Sequence, residues 1–239
     1  MKNNLAFILC LCLATPLCAT EQVCERIFYN NKARHLLNFP LEPLFENGTR
    51  ERPLGIISTA LYRCYVGVYE ITNNQLYVKD IFVDIDYRAL FGKENTLKGK
   101  SVFRDVFPGD EPVKMDWFNG VLVIPDKKAD FYSGGHFSIG RGGCTVLEIA
   151  KGTLTRERRF TNGEYELFVK AQVEAFKKTD AYPEYFKKIK EKYNFKDDEA
   201  YAKHADFMLS FCDVFHLTTK ILGEEEAPPE QEALPQPDT

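Results

Sequence analysis

Two neighbouring stretches of the chain alternate apolar and polar side chains in the way that β-strands do. Leu61–Ile71 and Gln75–Ile85 are rich in β-branched and aromatic residues, and a short polar segment, residues 72–74, separates them. One face of the second stretch carries three aliphatic side chains, Ile81, Val83 and Ile85. This pattern predicts a β-hairpin with one face toward the core, within a strand-like run from Leu54 to Asp86.

A second hairpin signal follows at Asn119-Gly120, because both residues tolerate the positive φ angles that a type I′ turn requires. The sequence predicts that this turn joins Met115–Phe118 to Val121–Ile124. Thr145–Ile149 and Gly152–Thr155 have the composition of one or two further strands.

After Phe160 the spacing of apolar residues becomes that of helices. Thr161-Asn-Gly-Glu164 has the spacing of a capping box, and Pro183 suits the first turn of a second helix. Asp197 or Asp198 can cap a third helix, which Gly223 ends. The apolar stripe of that third helix is Tyr201, Ala205, Met208, Phe211, Phe215 and Leu222.

Strands first and helices last predict an α+β fold. We expect a single domain over residues 20–223, with an N-terminal, antiparallel β-rich region of hairpins over residues 54–156. The C-terminal α-helices are expected over residues 161–222.

The N-terminal residues have the pattern of a secretory signal peptide. Lys2 precedes the uncharged apolar run Leu5–Ala14, which is too short to span a bilayer. Pro16 and the small residues after it predict cleavage near Ala19, so residues 1–19 are interpreted as the signal. We therefore expect an exported protein, periplasmic or secreted, without a transmembrane segment after cleavage.

Charge is distributed unevenly along the chain. The formal net charge is −4, and residues 224–239 carry six acids and no base: Glu224, Glu225, Glu226, Glu230, Glu232 and Asp238. The rest of the chain is near neutral, which gives no signature of nucleic-acid binding. The end of the chain is rich in Glu and Pro and poor in apolar groups, so residues 224–239 are predicted to form a disordered tail.

Four cysteines remain after signal cleavage: Cys24, Cys64, Cys144 and Cys212. In an oxidising compartment they can form two disulfides, with three connectivities that the sequence leaves open. Four buried thiols are the alternative. No pair has the short spacing of a zinc knuckle, and no metal site is expected from them.

The β-rich half contains short stretches that resemble an uncharacterised family of bacterial secreted or envelope proteins. The stretches are Ser58–Arg63, Tyr69–Ile71, Leu76–Val78 with Asp80, Phe107–Gly109, and Asp116–Gly120 followed by Ile124-Pro125. The resemblance covers about residues 54–153. It implies a shared fold and no known activity, and it leads us to expect glycine where this chain has Cys64.

The segment Ser133–Cys144 is the most unusual in the sequence, since five glycines surround Ser133, His136 and Arg141. Successive glycines allow backbone amides to converge on an anion, and Arg141 can add positive charge. The spacing matches neither the dinucleotide fingerprint nor the P-loop, so no cofactor is predicted. A turn-rich connection between strands is the alternative interpretation.

Two further positions carry candidate chemistry. Trp117 is a candidate ligand platform, with packing in the core as the alternative. Asp80, Asp84 and Asp86 are a candidate cation face, with a solvated sheet face as the alternative.

The sequence therefore favours a non-catalytic protein that binds an unknown protein or small-molecule ligand. Ser133, His136, Arg141 and Trp117 are its candidate ligand-binding residues. A hydrolase or transferase that uses the glycine-rich segment 133–144 is the alternative.

Overall fold

The computed structural model of the chain describes residues 23–86, 97–126, 130–131, 137–139 and 142–209. The strands in these residues are β1 (Glu25–Tyr29), β2 (Lys32–Leu36), β3 (Tyr65–Thr72), β4 (Gln75–Val83), β5 (Lys100–Ser101), β6 (Val113–Lys114), β7 (Gly120–Pro125), β8 (Asp130–Phe131), β9 (Phe137–Ser138), β10 (Cys144–Ala150) and β11 (Thr153–Phe160). The helices are α1 (Glu42–Glu46), α2 (Phe103–Val106), α3 (Asn162–Phe176), α4 (Ala181–Lys192) and α5 (Asp198–Leu209). In this part of the chain, no helix has the length and apolar character needed to cross a membrane.

One large sheet contains most of the strands, in the order β2-β1-β3-β4-β11-β10-β7. β1 and β3 run parallel, whereas the other neighbours on this path are antiparallel. The short strands β5 and β6 also pair with β4. Since the strands precede the three long helices, the predicted α+β class is confirmed.

The first predicted hairpin is confirmed as β3 and β4. Asn73 and Asn74 form its turn at φ angles of 50° and 59°, in the left-handed region that asparagine tolerates. Ile81 and Val83 lie on the core face as expected. The prediction was wrong for Ile85, because Asp84 has a φ of 53° and redirects the chain, so that Ile85 packs in a separate apolar cluster.

The second predicted hairpin was wrong. β7 begins at Gly120 and pairs with β10, not with residues 115–118. Those residues form a turn, in which the Phe118 N–H donates to the Met115 carbonyl over 2.9 Å. The Met115 N–H donates to the Leu76 carbonyl over 3.0 Å, so this segment follows β4 instead. The strands expected near residues 145–155 are confirmed as β10 and β11.

The sequence analysis did not predict β1 and β2, which form an antiparallel hairpin at the start of the described chain. Their turn consists of Asn30 and Asn31, at φ angles of 51° and 59°. This is the same asparagine pair that makes the β3–β4 turn. The Asn-Asn dipeptide was therefore the signal that could have revealed the hairpin.

The sheet separates two apolar clusters, as the alternation along β10 shows. Leu147 and Ile149 point into the interior cluster, which the curled sheet encloses together with α1 and α2. Cys144 and Val146 point to the opposite face, where α3 and the end of α5 cover them. The long helices α3 and α5 therefore pack on the face of the sheet opposite to the short helices α1 and α2.

The start of α3 follows the predicted capping box. The Thr161 N–H donates to the Glu164 carboxylate over 2.7 Å, and the Thr161 side chain caps the first turn in return. Within the described residues α5 ends at Leu209. The rest of its predicted stripe, the predicted signal 1–19 and the predicted tail 224–239 lie outside these residues.

The curled sheet brings its two edge strands, β2 and β7, together. The Leu37 N–H, just beyond β2, donates to the Val123 carbonyl over 3.1 Å. The Val123 N–H donates to the Asn38 side-chain oxygen over 2.5 Å. Asn38 is buried, so one amide side chain extends the backbone pairing between the two edges.

We predict that Asn38→Ala lowers the free energy of unfolding by about 1–3 kcal/mol, because it leaves the buried Val123 N–H without this acceptor. Urea denaturation measures the change. Asn47→Ala is the control, because Asn47 is exposed and accepts a local bond from Thr49. Its effect is expected to stay within about 0.5 kcal/mol. Equal losses in the two variants would contradict the role given to Asn38.

Candidate functional site

Three of the predicted ligand-binding residues, Ser133, His136 and Arg141, lie outside the described residues. The end of the glycine-rich segment is described, and it borders an open cleft of about 470 Å³. The residues that line the cleft are Asp126, Gly142, Gly143, Arg159, Phe160, Thr161, Asn162 and Glu164. The segment therefore does lead into a concave surface, at the start of α3.

The described side chains that line this cleft include two acids and one base. Arg159 donates to the Asp126 carboxylate over 2.9 Å. Glu164 accepts hydrogen bonds from the Thr161 N–H and hydroxyl, and these bonds lower the pKa of its carboxyl group. One base thus faces two acids, so the described side chains of the cleft do not favour an anion.

Trp117, the fourth candidate residue, is partly buried against the interior cluster. Its ring stacks on Phe107, with 5.9 Å between ring centres and 21° between planes. The indole therefore contributes to packing between α2 and the sheet.

Asp80 and Asp84 of the candidate cation face bind different groups of the protein. Asp80 accepts the Ser101 hydroxyl over 2.6 Å and the Ile81 N–H over 2.7 Å. Asp84 accepts the Ile56 N–H over 3.1 Å. Within the described ranges, no group of three His, Cys, Asp or Glu residues is arranged to hold a metal ion. Asp80 and Asp84 therefore anchor backbone and hydroxyl groups.

The described cysteines are all buried, and no two of them are joined by a disulfide. Cys212 lies outside the described residues, so its pairing stays a prediction. Cys64 has a φ of 61°, in the left-handed region where glycine is preferred. Glycine would adopt this conformation at a lower cost than cysteine.

A buried pair of an acidic and a basic side chain, which the sequence analysis missed, lies inside the curled sheet. Glu25, at the start of β1, is completely buried, and its carboxylate lies 3.5 Å from the guanidinium of Arg63. Arg63 is also buried, donates to the Val23 carbonyl over 3.0 Å and lies 3.5 Å from the centre of the Phe39 ring. Each of the two side chains is thus held by the other and by a backbone or ring contact.

Gly67, in β3, makes room for the Glu25 carboxylate. The Gly67 N–H donates to this carboxylate. A Cβ at position 67 would lie 2.5 Å from Oε2 of Glu25 and would also collide with the Tyr69 hydroxyl. Glycine at position 67 therefore allows the Glu25 carboxylate and the Tyr69 hydroxyl to lie close to the β3 backbone.

Burial has the largest effect on the pKa values of Glu25, Tyr65 and Tyr69. The loss of hydration raises the pKa of Glu25 from 4.5 to about 8, since the nearby Arg63 charge and the Gly67 N–H offset it only in part. Burial also raises the pKa values of Tyr65 and Tyr69 well above 10, so both phenols stay protonated. A carboxyl group with such a pKa can act as an acid, but Glu25 has no surface exposed to a substrate. Its role is structural.

An ion pair between Arg52 and Glu42 connects the body of the protein to the segment after α1. Both terminal nitrogens of Arg52 donate to the Glu42 carboxylate over 2.7 Å each, and the Tyr65 hydroxyl donates to the same group over 2.8 Å. This planar, two-bond geometry is the strong form of an arginine–carboxylate pair. It fixes the position at which the chain leaves α1 for β3.

The segment that follows, residues 52–62, is here called the apolar loop. Three of its aliphatic side chains are largely exposed: Leu54 at 93%, Ile57 at 70% and Ile56 at 65% of their surface. Tyr62 is 48% exposed. The Ser58–Leu61 bridge closes a turn that brings the flanking residues Ile57 and Tyr62 to neighbouring positions. The loop therefore presents one run of apolar side chains to solvent.

The backbone of the apolar loop is nevertheless well anchored. The Cys64 thiol donates to the Pro53 carbonyl over 3.1 Å, and the Ile56 N–H donates to Asp84. Gly55 lies so close to the sheet that a Cβ there would be 2.8 Å from the Cys64 carbonyl oxygen. Leu61, near the end of the loop, is fully buried. The contacts that fix the loop thus leave its large apolar side chains uncovered.

The strand-like run predicted from Leu54 was wrong at its beginning, because residues 54–57 form this loop and β3 starts only at Tyr65. Leu54, Ile56 and Ile57 have strand-forming side chains, which misled the prediction. Pro53 and Gly55 were the signal for an irregular segment.

We predict that the stability of the protein decreases as pH rises from about 5 to 8. The folded protein retains the Glu25 proton in this window, whereas the unfolded chain, with its ordinary pKa of 4.5, releases it. The contribution is fully present below pH 4.5 and is lost through pH 8, with a slope of at most about 1.4 kcal/mol per pH unit. Glu25→Gln removes this slope, which urea denaturation at several pH values measures. Parallel curves for the two proteins would contradict the raised pKa.

We also predict that Gly67→Ala lowers the free energy of unfolding by at least about 1–3 kcal/mol, because the methyl group displaces the Glu25 carboxylate and the Tyr69 hydroxyl. The matched control is Gly163→Ala, since Gly163 lies in α3 with no atom near its Cβ position. That change is expected to raise stability by up to about 1 kcal/mol. Thermal and urea denaturation of both variants test the contrast, and a harmless Gly67→Ala would refute it.

Comparison with protein-family models, curated proteins and solved structures finds no match to this chain. The resemblance of residues 54–153 to an uncharacterised bacterial family therefore stays a prediction from short sequence patterns. The function has to be argued from the contacts and charges of this structure.

Proposed function

We propose that this chain is an exported, non-catalytic protein that binds another protein through the apolar loop. The observation that carries the proposal is the exposure of Leu54, Ile56 and Ile57 on a backbone that the rest of the fold holds in place. Export is part of the proposal because residues 1–19 have the pattern of a secretory signal.

The free energy available at the loop supports a binding role. Burial of one aliphatic side chain contributes about 1.5–3 kcal/mol, and the loop exposes several within a few residues. Contiguous apolar surface of this kind marks interaction sites on soluble proteins. Because the loop is already ordered, little conformational entropy is lost when a partner covers it.

The shape of the site favours a protein partner over a small molecule. Small ligands are bound in concave pockets that enclose most of their surface. The apolar loop instead presents side chains outward. An apolar groove on another protein can accept such side chains as anchors.

The alternative of a hydrolase or transferase depends on Ser133, His136 and Arg141, which lie outside the described residues. The described end of that segment borders a cleft in which Arg159 is already paired with Asp126. The binding role is preferred because every residue that carries it is described.

We predict that a benzophenone photo-crosslinker at Ile57 captures one discrete protein in cells that produce this chain. Ile57→Asp is expected to weaken the affinity for that protein by at least about tenfold, because one buried isoleucine is lost from the interface. The free energy of unfolding should change by no more than about 0.5 kcal/mol, since Ile57 is exposed. Crosslinking, titration calorimetry with the captured protein and urea denaturation provide the three measurements.

The matched control places the crosslinker at Leu167, which is 68% exposed on α3, far along the sequence from the loop. The same adduct from both positions would indicate nonspecific capture and would overturn the proposal. An adduct of two copies of this chain would also overturn it, because the partner would then be the protein itself.

A further inference from the structure

The chain contains three asparagines that are directly followed by glycine, a dipeptide that is prone to spontaneous loss of the side-chain amide. The three dipeptides are Asn47-Gly48, Asn119-Gly120 and Asn162-Gly163. In this reaction the backbone nitrogen of the second residue attacks the side-chain carbonyl carbon of the asparagine, and glycine leaves that nitrogen unshielded. Because the three sites share this chemistry, differences between them depend on the structure around each one.

The first turn of α3 restrains Asn162-Gly163. The Asn162 side-chain amide donates to the Glu166 carboxylate over 2.9 Å. Thr161 and Glu164 form the capping box of the same turn. Attack by the Gly163 nitrogen requires the backbone at Asn162 to rotate away from helical angles. The first turn of α3 would therefore have to unwind before this site could react.

The start of β7 restrains Asn119-Gly120. The Asn119 side-chain oxygen accepts the Lys151 N–H over 2.8 Å, which ties it to the turn between β10 and β11. Gly120 is buried and pairs with Ile149 of β10. The reaction at Asn119 would therefore require the end of the β7–β10 pair to open.

The turn after α1 holds Asn47-Gly48 through local contacts. Asn47, Gly48 and Thr49 are all exposed. The Asn47 side-chain oxygen accepts the Thr49 N–H over 2.9 Å. The Gly48 N–H donates to the Phe45 carbonyl over 3.3 Å, which is long for such a bond. Since α1 has only five residues, rotation of this turn opens no strand pair and no long helix.

The space around Gly48 also allows the turn to move. Among the described residues, no atom lies within 4 Å of the position that a Cβ at Gly48 would take. Gly48 has a φ of 72°, a conformation that glycine adopts and leaves at low cost. Its nitrogen can therefore approach the Asn47 side chain without displacing a neighbouring segment.

We propose that Asn47 deamidates spontaneously in the folded protein, whereas the structure protects Asn119 and Asn162. Hydroxide removes the Gly48 N–H proton, the nitrogen forms a bond to Cγ of Asn47, and the Cγ–Nδ2 bond breaks with release of ammonia. Water then opens the cyclic imide at one of its two carbonyl groups, which gives aspartate or isoaspartate. The step is a hydrolysis and needs no oxidant, reductant or enzyme.

The modified turn lies between α1 and the Arg52–Glu42 pair that fixes one end of the apolar loop. Aspartate at position 47 keeps the path of the backbone and adds one negative charge. Isoaspartate also places the Cβ carbon in the main chain, so the bond from Thr49 cannot keep its geometry. The reaction therefore alters the chain just before the apolar loop as the protein ages.

Incubation of the purified full chain, followed by proteolysis and mass spectrometry, measures conversion at all three sites in one sample. We expect Asn47 to convert several-fold faster than Asn119 and Asn162, to a mixture of aspartate and isoaspartate. The rate should rise with pH, because hydroxide removes the amide proton. Equal rates at the three sites, or faster conversion at Asn119 or Asn162, would overturn the proposal.

Two controls separate the effect of the fold from that of the dipeptide. In guanidinium chloride, which unfolds the chain, the three rates are expected to become similar. An unchanged advantage of Asn47 there would mean that neighbouring residues select the site, and the structural proposal would fail. Gly48→Ala is expected to slow conversion of Asn47 several-fold, since the methyl group shields the attacking nitrogen, and to leave Asn119 and Asn162 unaffected. Unchanged conversion of Asn47 in that variant would rule out attack by the backbone nitrogen.

Discussion

The buried carboxylate of Glu25 is the group on which the arrangement of the described sheet depends. It ties the start of β1 to the backbone of β3 through Gly67, and to Arg63 just before β3. β1 and β3 are the parallel neighbours of the sheet, and a parallel pair has no tight turn to set its register. A buried acidic–basic pair contributes little net stability but is costly to break. Here the Glu25–Arg63 pair specifies how the β1–β2 hairpin is positioned beside β3.

Arg63 connects this interior pair to the surface. It is followed by Cys64, whose thiol donates to the Pro53 carbonyl, and the buried Leu61 lies two residues before it. The Arg52–Glu42 pair fixes the other end of the same loop. The interior charges and the exposed apolar side chains are thus parts of one connected structure. This connection explains how residues 54–57 remain ordered without burying their own side chains.

Local patterns predicted local structure well, but they did not reveal how distant segments meet. The Asn73-Asn74 turn and the Thr161 capping box depend on neighbouring residues, and both were predicted correctly. The Glu25–Arg63 pair joins residues 38 positions apart, so no spacing rule could reveal it. Gly120 was mistaken for a turn residue because its partner strand, β10, is distant in sequence. Leu54 and Ile57 have the side chains of buried strands, and only the fold shows that they face solvent.

An apolar loop fixed at several points has a kinetic consequence. A loop that must order during binding slows association, whereas a loop that is already in its bound shape docks as a rigid body. Its association rate is then set by diffusion and orientation. Differences in affinity between related partners would therefore appear in the lifetime of the complex. If the loop has the proposed binding role, the hydrogen bonds that join Pro53 to Cys64 and Ile56 to Asp84 favour a site that distinguishes partners by their dissociation rates.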